Sequence, residues 1–199
     1  MKNLLISLIV SAGLMSVANA GDAEAGKALS ANCAACHGAD GNSPSPAFPK
    51  IAGQGERYLI KQITEIRDGA RQAPAMQPFV MNLSDEDIAN LSAYFASQTA
   101  TAGGAKEELV ELGAQIFRAG IEEKGIPACL ACHAADGSGV ELAGFPRLAG
   151  QHDAYTAQQL HAFSAGTRNN DQAAMMRTIA ERMHDKEIEA VASYIQGLR

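Results

Sequence analysis

Cys33-Ala34-Ala35-Cys36-His37 decides the reading of this chain, because it returns as Cys129-Leu130-Ala131-Cys132-His133. The matches extend outward from both copies in the same order. Ala39-Asp40-Gly41 answers to Ala135-Asp136-Gly137, and Phe48-Pro49-Lys50-Ile51-Ala52-Gly53-Gln54 to Phe145-Pro146-Arg147-Leu148-Ala149-Gly150-Gln151. Tyr58 pairs with Tyr155, and Ser92-Ala93-Tyr94-Phe95 with Ala192-Ser193-Tyr194-Ile195. The offset drifts by only a few residues along the way, which short loop insertions absorb. Ordered matches of this length mark a tandem repeat. Small, polar and glycine residues from Ser97 to Lys106 separate the copies and read as a flexible connection. This places an N-terminal domain at residues 21–98, a linker at 99–106 and a C-terminal domain at 107–199.

Each half reads as mostly helical. Asp22 to Asn32 and Glu108 to Ala119 are Ala- and Glu-rich segments leading into each Cys motif. Tyr58 to Arg67 and Tyr155 to Phe163 carry apolar residues at spacings of three and four. Ser84-Asp85-Glu86-Asp87 opens a helix to about Gln98, with Ser84 as N-cap and acids in the first turn. His184-Asp185-Lys186-Glu187 opens its counterpart, ending near Gln196 with Gly197 as the stop. No run alternates well enough to be a strand, so the expected fold class is all-α.

The first twenty residues stand apart. Lys2 precedes an apolar run from Leu4 to Val17, and Ala18-Asn19-Ala20 offers a small-x-small cleavage pattern before Gly21. This is the pattern of a secretory signal peptide, removed after Ala20. It predicts an exported protein in the periplasm.

Composition narrows the class further. The chain has 199 residues, 47% of them hydrophobic and 19% charged, so it is neither disordered nor polybasic. A net charge of -6 argues against binding nucleic acid by neutralising phosphates. Aromatics reach only 5% and Trp is absent, which is thin for the cores of two small domains. Something other than side chains is expected to fill the interior.

Cys-x-x-Cys-His names that filler, because it is the attachment signature of c-type haem. Two thiols one helical turn apart can each add across a vinyl group on one porphyrin edge. The adjacent histidine then presents its imidazole to iron from the same side. A zinc ribbon would place its Cys pairs about 15–20 residues apart, far closer than Cys36 and Cys129. A Cys-x-x-Cys redox site lacks its βαβ surroundings here, and structural disulfides leave the repeated His unexplained. We therefore expect two covalently bound haem c groups, on Cys33 and Cys36 and on Cys129 and Cys132, with His37 and His133 as axial ligands.

The second axial ligand follows from the repeat. Methionine thioether favours ferrous iron and raises the potential. Met76 and Met176 stand at matching distances before Ser84 and His184, which open the last helix of each half. Met81 and Met183 have no methionine partner in the other half, and Met175 matches Ala75. The register selects Met76 and Met176. His184 is expected to cap its helix, and His152 and His161 to serve structural or surface roles. A ligating imidazole donates its other N–H to a carbonyl or carboxylate, and the Pro49 and Pro146 carbonyls are the candidate acceptors.

Both halves resemble class I cytochromes c. The tandem pair, with Phe-Pro-x-(Ile/Leu)-Ala-Gly-Gln in each half, closely resembles the dihaem cytochrome c4 family over essentially all of residues 21–199. The resemblance implies two tandem all-α class I cytochrome c-like haem domains joined by a short linker, with propionate edges close together. It implies an electron carrier, often loosely membrane-associated, that accepts electrons from a quinol-oxidising complex or other donor. A terminal oxidase is the implied acceptor, and a monomer the implied state. Some family members carry a charge asymmetry between domains; here both halves are mildly acidic. No catalytic residues are expected, because His and Met saturate each iron. The alternative is a dihaem redox enzyme, of peroxidase or thiosulfate-oxidising type, or its electron-transfer subunit. An enzyme would need an open coordination position or a spare distal His or Cys. All four cysteines are committed to the motifs.

Overall fold

The computed structural model describes residues 21–199. The expected signal peptide at residues 1–20 lies outside them. Each half runs through five helices in the same order. The N-terminal half has α1 (Ala23–Leu29), α2 (Ala31–His37), α3 (Glu56–Arg67), α4 (Gln77–Val80) and α5 (Asp85–Ala96). The C-terminal half has α6 (Glu107–Ala119), α7 (Leu130–His133), α8 (Asp153–Ser164), α9 (Met175–Ala180) and α10 (Asp185–Gly197). Extended pairing among the described residues is confined to two isolated bridges, Ile121–Ile126 and Val140–Phe145. The all-α class holds.

Two boundaries depart from the sequence reading. The segment Asp22 to Asn32 is not one helix. It breaks at Ser30, which ends α1 and opens α2. The Ser30 hydroxyl donates to the Lys27 carbonyl at 2.9 Å, competing with the helical ladder as serine does. At the other end, Gly197 is the last residue of α10 rather than its stop, and Leu198 follows in extended conformation. Ser84 caps α5 as expected: its Oγ accepts from the Asp87 N–H, and the Asp87 carboxylate accepts from the Ser84 N–H.

The closing helix organises each half. α1 crosses α5 and α6 crosses α10, while α3 packs on α5 and α8 on α10. Along α10, Ile188, Val191 and Ile195 recur on one face and join Ile116 and Phe117 of α6. Leu91 and Phe95 of α5 meet Leu59 of α3 in the same way. The crossings are close because each first helix brings a glycine to the contact. A Cβ on Gly26 would fall on the Asn90 carbonyl oxygen, and one on Gly113 on the Ala190 carbonyl oxygen and 2.6 Å from the Tyr194 Cβ.

Gly113→Ala is therefore expected to destabilise the C-terminal half. Alanine favours a helix interior by about 1 kcal/mol over glycine. Backbone does not yield to a new methyl as a flexible side chain would, so overpacking of up to about 3 kcal/mol outweighs that gain. A denaturant titration should show a net loss of about 2 kcal/mol; an unchanged or higher midpoint would contradict this reading of the crossing.

The connection is not the free linker that its composition suggests. The Asn42 Nδ2 donates to the Thr99 carbonyl at 2.9 Å, and its Oδ1 accepts from the Thr101 N–H at 2.8 Å. Farther on, the Gly103 N–H donates to the Gln196 carbonyl, and the Lys106 N–H to the Ser193 hydroxyl. Small residues suit the segment because it lies against both halves: Gly103 meets the Gln196 side chain. Its span is set by these bonds rather than by chain entropy.

Candidate haem sites

In each half the Cys-x-x-Cys-His motif ends on a short helix, α2 or α7, with His37 and His133 as the last helical residues. None of the four cysteines is in a disulfide. Burial, and then the neighbouring Cys36, pushes the Cys33 thiol above its ordinary value. Burial pushes the Cys129 thiol up to about 11. Both shifts run opposite to that of the acidic thiol of a disulfide oxidoreductase.

Each histidine is oriented as the sequence predicts. The His37 Nδ1–H donates to the Pro49 carbonyl at 2.9 Å, and the His133 Nδ1–H to the Pro146 carbonyl at 2.9 Å. This assigns the free lone pair to Nε2 in both. Both rings are buried, and burial holds both imidazoles below the usual histidine value. They are neutral, the form that ligates metal. The repeated Phe-Pro pair thus has two jobs. Proline offers the carbonyl, and the Phe48 ring lies 6.5 Å from His37, with Phe145 6.2 Å from His133. The loop carrying them is tied back to the repeated Ala-Asp-Gly. The Gly41 carbonyl accepts from the Ile51 and Ala52 N–H groups, and the Gly137 carbonyl from those of Leu148 and Ala149.

Among the methionines, Met76 and Met176 both line the cavity that opens beside the histidines. Met81 is 57% exposed, and Met183 is a member of the C-terminal core cluster that also borders the cavity. Met175 also borders the cavity but is more exposed, at 38%. Two alanines in left-handed conformation, Ala173 (φ 51°) and Ala174 (φ 57°), precede Met175 and Met176. His184 precedes α10 and its N–H donates to the Glu187 carboxylate, in line with a capping role. His161 is an exposed neighbour of Asp185. His152 has a larger part: its Nε2 donates to the Ser43 carbonyl of the other half at 2.9 Å.

The cavity is continuous across both halves, about 1230 Å³ in volume, and runs from Cys33 and His37 to Cys129 and His133. Two reciprocal contacts hold the halves around it. The Gln54 Oε1 accepts from the Arg147 N–H and its Nε2 donates to the Arg147 carbonyl, at 2.7 and 3.0 Å. Gln151 does the same to Lys50, at 2.9 and 2.8 Å. The final residue of each repeated Phe-Pro segment therefore grips the same segment of the other half. A second pair lies closer to the cavity. Arg71 donates to Tyr155 and Gln159 across the seam, and Arg168 to Tyr58 and Gln62. Burial opposes ionisation of Tyr58, but Arg168, Arg71 and Lys61 together draw its phenol below the ordinary tyrosine value. An asymmetric contact completes the seam, where the Glu141 carboxylate accepts from the Arg57 N–H in the first turn of α3.

Neither spacing nor periodicity revealed these seam residues. The repeated Gln was visible, but a repeat inside each half gives no sign that its partner lies in the other.

The lining fits haem. It is an apolar cleft with two thiols and an oriented imidazole at each end. Arg71 and Arg168 face it with no carboxylate in salt-bridge range among the described residues. Arg147 also lines the cavity, and its buried Nε has no hydrogen-bond partner. Guanidinium charges without a paired carboxylate beside an apolar cleft suit a flat hydrophobic ring carrying carboxylates. No cluster of three or more His, Cys, Asp or Glu that could hold a bare metal ion occurs among the described residues.

A sequence profile of cytochrome c matches residues 23–99 and again residues 110–199. The chain is 52% identical to cytochrome c4 of Pseudomonas aeruginosa, over 100% of each chain. The crystal structure of reduced recombinant cytochrome c4 from Pseudomonas stutzeri superposes with a TM-score of 0.89 at 49% identity, covering 90% of this chain and 100% of that one. A thiosulfate dehydrogenase electron acceptor of Stutzerimonas stutzeri is 43% identical over 83% of this chain and 78% of its own.

Proposed function

The chain belongs to the cytochrome c family, in its two-domain cytochrome c4 branch, and from that membership we propose an exported electron carrier that works in the periplasm and delivers electrons to a terminal oxidase. It carries two covalently bound haem c groups, one for each pair of motif cysteines. The observation that carries the proposal is the pair of oriented histidines, each facing a cavity that a methionine also lines, with both cavities joined at one seam.

Haem c supplies a one-electron ferric/ferrous couple when bound. Cys33 and Cys36 would hold one group by thioether bonds, and Cys129 and Cys132 the other. His37 and Met76 would ligate the first iron, His133 and Met176 the second. The Pro49 and Pro146 carbonyls fix the imidazole orientation and strengthen it as a donor. The apolar lining keeps water out and favours the less charged ferrous state. Arg71, Arg168 and Arg147 would face the propionates. With a histidine and a methionine supplied to each iron, the protein would move electrons without binding a small substrate.

Residues 21–98 and 107–199 act as the two domains, pinned by residues 99–106 and by the reciprocal Gln54 and Gln151 contacts. This suits a relay in which one half meets the donor and the other the acceptor. No helix among the described residues is long and apolar enough to cross a membrane. A second reading is delivery of electrons from a thiosulfate-oxidising partner, supported by the relative that bears that electron-acceptor name.

The test uses purified holoprotein. It should titrate in two one-electron waves, and its ferrous form should take up no carbon monoxide. Carbon monoxide uptake at either site would reveal an open position and favour an enzyme. Oxygen uptake by a terminal oxidase preparation should rise with added ferrous protein. Reduction by a thiosulfate dehydrogenase with no oxidase turnover would instead support the second reading.

A further inference from the structure

Asp153 opens α8 and has a cation. The Lys106 ammonium, at the entrance of α6, donates to its carboxylate at 2.9 Å. Hydrogen bonding to that carboxylate holds Lys106 above the usual lysine value. Glu56 opens α3 at the matching position, by the offset of the Phe-Pro repeat. Among the described residues no lysine, arginine or histidine pairs with Glu56. Its carboxylate meets a backbone nitrogen instead: the Gly21 N–H donates to the Glu56 Oε1 at 3.3 Å. Gly21 stands at the entrance of α1 as Lys106 stands at that of α6.

Two further contacts hold that nitrogen in place. The next N–H, that of Asp22, donates to the Asn90 Oδ1 at 2.7 Å. Gly21 also lies so close to α5 that a Cβ on it would fall on the Ala89 carbonyl oxygen. The cleavage pattern asks for small residues on the other side of the bond, at Ala18 and Ala20, so the fold rather than the cleavage explains the glycine. Hydrolysis by a signal peptidase adds water across the Ala20–Gly21 peptide bond. Ala20 departs with a carboxylate on the leader, and the Gly21 nitrogen becomes a primary amine that takes up a proton. A peptide N–H thereby becomes an ammonium where the repeat lacks its cation.

We propose that leader removal creates a structural ion pair, in which the Gly21 α-ammonium docks on the Glu56 carboxylate and takes the part that Lys106 plays toward Asp153. The processed end ties α1 to the first turn of α3, beside Arg57, whose N–H donates to Glu141 of the other half. Maturation thus finishes one corner of the seam. The inference rests on the export reading. The groups around the ammonium are chiefly acidic: Asp22 on its own segment, Glu56 on α3, Glu86 one turn ahead of Asn90 on α5, and Glu141 from across the seam, with Arg57 as the nearby cation. Such a field favours the charged amine. Its stabilisation is complete below the ordinary α-amine value of about 7.7–8.0 and is lost as pH rises through the raised folded value.

The experiment uses periplasmic holoprotein in three forms: the natural chain, Glu56→Gln and Gly21→Ala. Intact mass should place the first residue at position 21 with two haems attached. Acylation of the α-amine by acetic anhydride across pH, read on the N-terminal peptide, gives its acid constant. The natural amine should titrate above the ordinary range, and Glu56→Gln should raise its acid constant about two- to fivefold, the size of a half-exposed ion pair. Gly21→Ala should do the same by displacing the amine from α5. In urea, Glu56→Gln should raise the unfolding constant more at about pH 6.5 than at about pH 10, by that same factor. Any effect of Glu56 on the helix end is common to both pH values and cancels. An ordinary α-amine that Glu56→Gln does not move would overturn the proposal, as would cleavage at another bond. A chain that keeps its leader would sink the export reading, and the proposal with it.

Discussion

Replacing both Cys33 and Cys36 by alanine should remove one haem mass and unfold the N-terminal half, with loss of roughly half the helical signal. The same change at Cys129 and Cys132 should be milder. The difference lies in what each half can bury without its porphyrin. The N-terminal cluster consists of Leu59, Leu91, Tyr94 and Phe95, and three of these also line the cleft. The C-terminal cluster is larger, with Ile116, Phe117, Ile121, Ile126, Met183, Ile188, Val191 and Ile195. A domain this small sits near the limit at which side chains alone support a fold. Intact mass gives the haem count, and circular dichroism with urea titration gives the stability. Equal losses from the two double variants would mean that the side-chain core does not set the dependence. A fully stable variant lacking one haem would remove the argument that the ring completes the core.

Met76→His and Met176→His should each lower one of the two potentials by several tenths of a volt, out of the roughly 0.8 V over which axial ligation tunes haem. Imidazole is a stronger donor than thioether and stabilises ferric iron. The near-infrared charge-transfer absorption of ferric Met–haem should fall by about half in each single variant and vanish in the double. The structure narrows the alternatives on physical grounds. Met81 is mostly exposed, and Met183 is committed to the apolar cluster. Met183 nevertheless also borders the cavity, so it and Met175, next in sequence to Met176, are the rivals. Met175→Leu should leave the absorption intact while Met176→Leu removes half of it. The reverse outcome would show that the repeat register misassigns the C-terminal ligand.

Much of the site could be read before any fold was known. The thiols and the histidine lie within five consecutive residues, so their chemistry is set by one helical turn. The Pro49 and Pro146 acceptors were legible because each lies a short loop away from its histidine. The helices of the closing pair were legible from capping and spacing. The break at Ser30 was less so, because one hydroxyl choosing a local carbonyl outweighs a weak helical preference. The linker was misread for a related reason. Glycine and small polar residues signal conformational freedom, but they equally permit a chain to lie flat against two surfaces, as Gly103 and Thr101 do.

Sequence alone determined the duplication, the all-α class and the attachment of two haems, since each follows from residues close together in the chain. Tertiary structure alone decided how the halves meet. Gln54 and Gln151 look like internal features of each repeat, yet each bonds the backbone of the other half, at Arg147 and Lys50. Arg71 finds Tyr155 and Arg168 finds Tyr58 by the same exchange. The physical reason is common to both exchanges. A hydrogen bond is satisfied by whatever group is nearest in space, and across a seam that group comes from a stretch of chain about a hundred residues away, which no local pattern encodes.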